Sequence, residues 1–523
     1  MGVHSANETI HLTKSITITS EKGRGKIVQD TACDVEFTFV VKTPGITVTL
    51  SNLNFEGISI LDVQFEAKII IHETSVVGGR NHVIRVKNAI PFQLFLSQSA
   101  FTNTGKIYSE TWSRINIKDR FSTISIENST FNNIKGIHFS DAREVKLKNC
   151  SFIHTRNDQP LGFVFVSHTN IVEISSSRFL NYTGPRYGFL NLFKVMNAHV
   201  KYSSFEDGQA GKQAGCVYMY LVTNSTVEHS KFIRCRSGQN AGAIRVNDNK
   251  GNCKIAHSTF IGNQAEKSGG AVYLGSIKYG QQKCNLSSST LIENCSFFNN
   301  VAGSSGSSIN SDVKLNLQNI TIAAADNTSV THLQLKGELV TLGNIEIRTE
   351  NLGHIQSSIA RHGIDISSSD VQINGKVSYI CPRHFNVLSN DDSYSTFMRK
   401  LSRFEMIYIL FKTRCETCPP DHYTLKTGRL DVRPYKPWDA YRDGFMTAYT
   451  AKEKWHQTMS TEECLVCPSG ATCNGNIIPL DNFWGYRTVF NTVAFVQCPD
   501  GYCCSSQNHP MHGLQYVPKG KDG

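Results

Sequence analysis

Breaking or eliminating across a glycosidic bond needs two carboxylates close together, or acidic Ca²⁺ ligands beside a base. The acidic candidates here are Asp207 in "EDGQAG", Asp248 in "VNDNKG", Asp365 in "RHGID" and the pair Asp391-Asp392. Acidic residues are scarce, 43 of 523, which argues against a carboxylate-lined cleft. A second chemistry is metal or thiol chemistry. Two Cys-x-x-Cys pairs, Cys415/Cys418 and Cys464/Cys467, have the local spacing of a zinc site. A third is phosphate binding by a glycine-rich loop, which requires a following helix N-terminus. Gly269-Gly270-Ala271 leads instead into the strand-like "VYL", so it reads as a structural turn.

What would position these residues is a repeat. Stretches ending in a small polar pair and Phe recur along the chain. They include "IENSTF" at Phe131, "LKNCSF" at Phe152, "SSSRF" at Phe179, "VKYSSF" at Phe205, "VEHSKF" at Phe232, "IAHSTF" at Phe260 and "IENCSF" at Phe297. Earlier copies end at Phe55 and Phe101, and "HETSVV" around Val76 fills the gap between them. From Phe131 to Phe260 the steps are 21, 27, 26, 27 and 28 residues. A second ladder, "AGCVYM", "AGAIRV" and "GGAVYL", keeps the same period. Asp207 and Asp248 lie 41 residues apart, which is not one period.

Each unit holds short strand-like segments separated by Gly, Asn, Ser and Lys, and no stretch long enough for a crossover helix. Such a coil is one turn of a parallel β-helix, with inward Phe, Ile, Val and Leu stacked in files. Asn and Ser at the corners, Asn263 among them, accept left-handed backbone geometry. The pattern predicts an all-β chain. A β-helix spans 1–375, with about fourteen turns and a rod of roughly 65–70 Å. A capping or linker segment follows over 376–414, with a helix inside "SYSTFMRKLSRFEMIYILFKT", and then a cysteine-rich, loop-rich module over 415–523.

The array resembles the right-handed parallel β-helix of the pectin-lyase-like superfamily. "FIGN" followed by "GGAVYL", and "FFNN" at 297–300, are similar to the repeats of chlamydial polymorphic outer-membrane proteins, which carry Phe-x-x-Asn and Gly-Gly-Ala signatures. "FIRC" at 232–235 departs from that pattern by one residue. Near the C-terminus, "CETCPPDHY" and "CLVCPSG" resemble the Cys-x-x-Cys-Pro modules of ephrin receptors and tumour-necrosis-factor receptors. The order of β-helix, then module, then "NFWGY" and "GYCC" resembles the outer part of large multidomain surface proteins, in which membrane spans often follow.

Nine of the sixteen cysteines fall between Cys381 and Cys504. Such clustering points to an oxidising compartment or bound metal. The resemblance and the 45 residues between Cys418 and Cys464 favour disulfides over zinc or redox chemistry. The candidates are Cys415, Cys418, Cys464, Cys467, Cys473, Cys498, Cys503 and Cys504, with open connectivity. Within the repeats, Cys253 and Cys284 form a further candidate pair, each seven residues before an apolar position, Phe260 or Leu291. Cys150 and Cys295 share one place in the repeat, two residues before Phe, and read as small buried side chains. Glycosylation triplets stand at Asn7, Asn128, Asn149, Asn181, Asn224, Asn285, Asn294, Asn319 and Asn327, all within the repeats.

The formal net charge of +10 is spread without a run of five like charges, so nucleic acid is not an expected partner. Strand pattern begins by Ile10 and no secretory leader is seen, so the chain reads as a fragment of a longer protein. Its strictly apolar runs, such as Met406 to Phe411, are too short to span a membrane, and membrane contact is expected only through segments outside it. The expectation is a non-catalytic extracellular or cell-surface rod for adhesion, recognition or scaffolding. It needs no cofactor or metal, and it meets a protein or glycan on its surface, with Tyr218, Tyr273 and Tyr279 as exposed contact candidates. The rival is a polysaccharide lyase or glycosidase.

Overall fold

The computed structural model describes residues 3–498, except 6–8, 21–24, 29–37, 58–59, 79–81, 87–90, 105, 110–121, 157–160, 276–288, 326–331, 338, 351–363, 367–369, 384, 390–399, 402–412, 419–420, 425–426, 435–454, 461–464, 475, 481–482 and 489–491. The described residues are all-β, with no helix. The chain divides into two compact units. The first comprises Met1–Ile322, Val330–Gly343 and Ile364–Gln372, and the second Ala323–Ser329, Asn344–Gly363 and Ile373–Gly523.

The first unit is a parallel β-solenoid. One turn shows the design. Asn197–Lys201 forms face A, Ser204–Ala210 face B and Val217–Tyr220 face C. Each strand pairs in parallel with its equivalent in the turns before and after. Face C runs as fourteen consecutive strands, from Ile10–Leu12 to Ile364–Ile366. Side chains alternate, so in Ile46–Ser51 the residues Ile46, Val48 and Leu50 point into the lumen and Thr47 and Thr49 point out.

The small polar residues before each Phe serve two separate purposes. Three residues before the Phe, the corner between faces A and B holds one residue in left-handed geometry. Asn128, Asn149, Ser176, Tyr202, His229, His257 and Asn294 all have φ between 48° and 51°. Two residues after the Phe a second corner does the same, at Asn133, His154, Asn181, Asp207, Arg234, Gly262 and Asn299. Asn tolerates this backbone best among residues with a side chain, and neighbouring corner amides pair (Asn149 Nδ2 to Asn128 Oδ1, 2.7 Å; Asn133 Nδ2 to Asn103 Oδ1, 2.8 Å).

Two residues before the Phe lies a buried hydroxyl ladder. The N–H groups of Ser177, Ser203 and Ser230 donate to the hydroxyls of Ser203, Ser230 and Ser258 one turn on, at 3.2–3.3 Å. Each hydroxyl in turn donates to the carbonyl two residues back, as Ser203 does to Lys201 at 2.9 Å. Cys150 and Cys295 occupy rungs of this ladder, and their thiols bond the Lys148 and Glu293 carbonyls. Burial pushes Cys150 up to about 11 and Cys295 up to about 12, so both are poor nucleophiles. Ser203→Ala would leave the buried N–H of Ser177 without an acceptor. It is expected to cost about 1–3 kcal/mol in denaturant unfolding, and Ser203→Cys distinctly less.

The phenylalanines form one file. Rings from Phe101 through Phe131, Phe152, Phe179, Phe205, Phe232, Phe260 and Phe297 stack at centroid separations of 4.6–5.2 Å. Val76 pairs with both Phe55 and Phe101 and is the rung between them. Asn263, expected at a corner, is instead fully buried, and Gly262 takes the left-handed position. The Asn263 amide bonds inside the lumen to the Phe232 carbonyl (3.0 Å) and to Asn300 Oδ1 (2.9 Å), and Asn300 repeats this with Phe260 (3.0 Å). Phe-x-x-Asn is therefore an interior hydrogen-bond column. Gly242 belongs to a column of close approach, since a Cβ there would collide with the Gly270 carbonyl of the next turn.

Within the second unit, Ile345–Glu350 still pairs in parallel with Val377–Arg383. That strand then accepts Thr427–Pro434 in antiparallel register, which pairs in turn with Trp455–Ser460. In the segment 393–413, expected to hold a helix, 393–399 and 402–412 lie outside the described residues, and Lys400–Leu401 is a strand paired with Trp455 and His456. Asp431 anchors the junction through Ser378 (2.7 Å), Arg429 (2.8 Å) and Lys376 (2.9 Å). Burial works to raise its carboxyl, but these partners hold it below the ordinary value. The cysteine-rich part gathers around buried Tyr423, Cys473 and Val493, and the Val493 N–H donates to the Tyr423 hydroxyl at 3.1 Å.

Candidate functional site

The cysteines sort by position in the coil. Cys467–Cys473 is a disulfide, and Cys381, Cys418 and Cys498 are also disulfide-bonded. Cys415 lies in the strand Thr413–Thr417, whereas Cys464, Cys503 and Cys504 fall outside the described residues. Cys253 carries a free, buried thiol, which corrects the proposed pairing with Cys284. The reason is register. Phe260 stacks on Phe297, not on Leu291, so the residue opposite Cys253 in the next turn is Thr290. Cys284 lies outside the described residues.

A disulfide not anticipated from the sequence joins Cys216 and Cys235, both fully buried. Cys216 stands where Ala243 and Ala271 stand in later turns, and Cys235 where Asn263 and Asn300 stand. Both columns face the lumen, so the bond ties one wall of a single coil to another.

Among the described residues, the acidic residues considered for catalysis are not brought together. Asp207 occupies the corner after the Phe strand, where Arg234 of the next turn donates two 2.7 Å hydrogen bonds to it and holds its carboxyl below the usual range. Asp248 occupies a different corner, after face C. Asp365 lies opposite Gln334 on face C, and Asp391-Asp392 falls outside the described residues. On face A, Glu228 lies between Lys201 (3.5 Å) and Lys254 (3.6 Å), and Lys254 also meets Glu293 at 2.9 Å.

The chemically distinctive surface is the outer side of face C. Its register sets Asn191, Tyr218, Arg245, Tyr273 and Asn310 in one row, one residue per turn. Successive residues are therefore about 4.8 Å apart. Tyr187 stacks on Tyr218 at 4.9 Å, and Phe193 on Tyr220 at 5.5 Å in the adjoining row. Cations face these rings: Arg186 over Tyr187 (5.2 Å), Lys194 over Phe193 (5.2 Å), and Arg245 over Tyr218 (5.9 Å) and Tyr273 (5.1 Å). The Tyr273 hydroxyl donates to Asp312 at 3.0 Å. Burial raises Tyr218 and Tyr273 to about 12, so both remain neutral donors.

Of the tyrosines expected to be exposed, Tyr218 is buried at 6% exposure, Tyr273 is partly buried, and Tyr279 lies outside the described residues. Tyr187 and Arg245 were not anticipated. Arg245 had a readable signal, since "AGAIRV" places it in the column of Tyr218 and Tyr273. The glycosylation triplets at Asn128, Asn149, Asn181, Asn224, Asn294 and Asn319 have exposed asparagines; Asn7, Asn285 and Asn327 lie outside the described residues. Among the described residues, no group of three or more His, Cys, Asp or Glu side chains is placed to hold a metal ion.

No protein-family model, no curated protein and no solved structure matches the chain.

Proposed function

We propose that this protein is a non-catalytic recognition rod of an oxidising, extracellular setting, and that it meets a glycan along the outer row of face C. The observation that carries the reading is the row of Tyr218, Arg245 and Tyr273 with Tyr187 stacked on Tyr218, which presents the partly buried rings of Tyr187 and Tyr273 beside cations rather than, among the described residues, a pair of free carboxylates. Aromatic rings stack on the apolar faces of sugars, and a rigid solenoid holds them at fixed spacing with little ordering cost on binding. The similarity of the repeats to pectin-lyase-like and polymorphic outer-membrane β-helices supports a surface rod. The Cys-x-x-Cys-Pro elements support an extracellular module.

Binding to a panel of immobilised oligosaccharides tests the reading. The wild type is expected to retain a subset of glycans, and Tyr187→Ala, which removes a partly buried ring, to weaken retention about tenfold or more. Release of new reducing ends or unsaturated products from a bound polysaccharide would establish the enzymatic rival instead. Expression through a glycosylating secretory route, followed by enzymatic deglycosylation, is expected to show mass loss confined to peptides from residues 1–375, where all nine triplets lie.

A further inference from the structure

Arg245 is the anomaly in the row. The same column holds Tyr218 in the turn before and Tyr273 in the turn after, and a third tyrosine would have continued the stack without burying a charge. A guanidinium stays protonated in proteins, and taking it out of water is costly unless an anion meets it. Arg245 is only 9% exposed, and burial pushes its pKa down. Its Nε donates to Asn247 Oδ1 at 3.2 Å, while its Nη1 is buried without a hydrogen-bond partner among the described residues. The side chains packed around it are the aromatic rings of Tyr218 and Tyr273, and among the described residues it forms no ion pair with a carboxylate. Two ring faces compensate part of the desolvation. One turn beyond Tyr218 in the same row, Asn191 Oδ1 is likewise buried and unpartnered among the described residues. The fold alone has no use for a charge here.

We propose that Arg245 is an anion subsite within this row, taking a sulfate or carboxylate group carried by a saccharide whose rings lie along the neighbouring tyrosines. This inference rests on the glycan-recognition reading above and gives it a substrate class. The fork of a guanidinium matches the two oxygens of such a group in paired hydrogen bonds. Tyr273, which lies over the guanidinium, is only partly buried, and its hydroxyl is bonded to the exposed Asp312. In the proposed mode, the incoming anion displaces that ring to reach the guanidinium. Arg186 and Lys194 add to the positive field around the same aromatic faces.

The test uses the full chain and four probes, followed by calorimetry at two salt concentrations: sodium sulfate, a sulfated oligosaccharide, a uronic-acid oligosaccharide and their neutral counterpart. The wild type is expected to bind one acidic oligosaccharide about tenfold or more tighter than the neutral one, less so at high salt. The two acidic arms decide between sulfate and carboxylate. Arg245→Met is expected to erase the preference while melting no lower than the wild type, because it removes a buried unpaired charge. Arg245→Lys, which keeps the charge without the fork, is expected to keep only part of it. Equal binding of acidic and neutral sugars by the wild type overturns the subsite. So does an undiminished preference in Arg245→Met or, should that variant not fold, in Arg245→Lys. If neutral sugars still bind and Tyr187→Ala weakens them, the glycan reading stands and the anion subsite alone fails. If no saccharide binds, both fail.

Discussion

Truncating Phe205 to alanine is expected to cost about 3–5 kcal/mol of solenoid stability. Its ring is fully buried and stacked on both sides, on Phe179 at 4.6 Å and on Phe232 at 5.0 Å. Phe189 also packs against it, at 6.3 Å. The site cannot easily collapse. The strand backbone is fixed by parallel pairing above and below, and the file neighbours are held at their own rungs. The cavity term is therefore added nearly in full to the lost transfer energy. Because each turn touches only its neighbours, the loss is local, and unfolding is expected to split rather than shift as one transition. Hydrogen exchange should show turns flanking Phe205 opening first, with the turns around Phe101 and Phe131 unchanged. A uniform loss of protection across the rod would show that the turns unfold as one block. Phe205→Leu, which keeps much of the volume, is expected to cost less than half as much.

The Phe file was legible because a stacked residue is its own neighbour. One side chain suits every rung, so selection for packing writes the same letter once per turn. The hydroxyl ladder and the left-handed corners were half legible for the same reason: the repeated "small polar pair" is the sum of two columns with different physics. Their separation needs the φ values, which a sequence does not carry. Asn263 was misplaced because Asn suits a corner and also an interior amide column, and composition alone does not choose between them. The pairing of Cys253 with Cys284 failed on register, since the 37-residue step between Phe260 and Phe297 hides which residues face each other. Lys400–Leu401 lies in a segment expected to hold a helix, while its strand state is decided by partners 56 and 54 residues away, His456 and Trp455. Arg245 and the Cys216–Cys235 bond lay in the alignment as breaks of a column. Agreement within a column reports packing, whereas the Cys216–Cys235 cross-link sits where a column changes.

Reducing or deleting the Cys216–Cys235 bond is expected to cost about 3 kcal/mol, from the chain entropy of a loop closed across 19 residues. Both sulfurs are fully buried, so a reductant should reach them only after the coil opens. Native protein is expected to keep this disulfide in dithiothreitol and lose it promptly in denaturant, as read by mass after alkylation. The repeat itself supplies a replacement. Where Cys216 and Cys235 stand, the later turns carry Ala243 or Ala271 and Asn263 or Asn300. Asn263 and Asn300 each donate to the carbonyl of the Phe one turn back, at 3.0 Å, and Cys235 already faces the equivalent Phe205 carbonyl at 3.8 Å. The Cys235 N–H donates to Asn263 Oδ1, so the column continues through the backbone there. The double variant Cys216→Ala/Cys235→Asn should therefore extend the amide column by one rung and recover most of the stability without a cross-link. Cys216→Ala/Cys235→Ala should not. If the two double variants melt alike, the amide column contributes nothing at this rung, and the disulfide alone holds the coil. If the Asn variant folds in a reducing cytosol while the wild type does not, the bond is this turn's substitute for an amide, one that works only where thiols are oxidised.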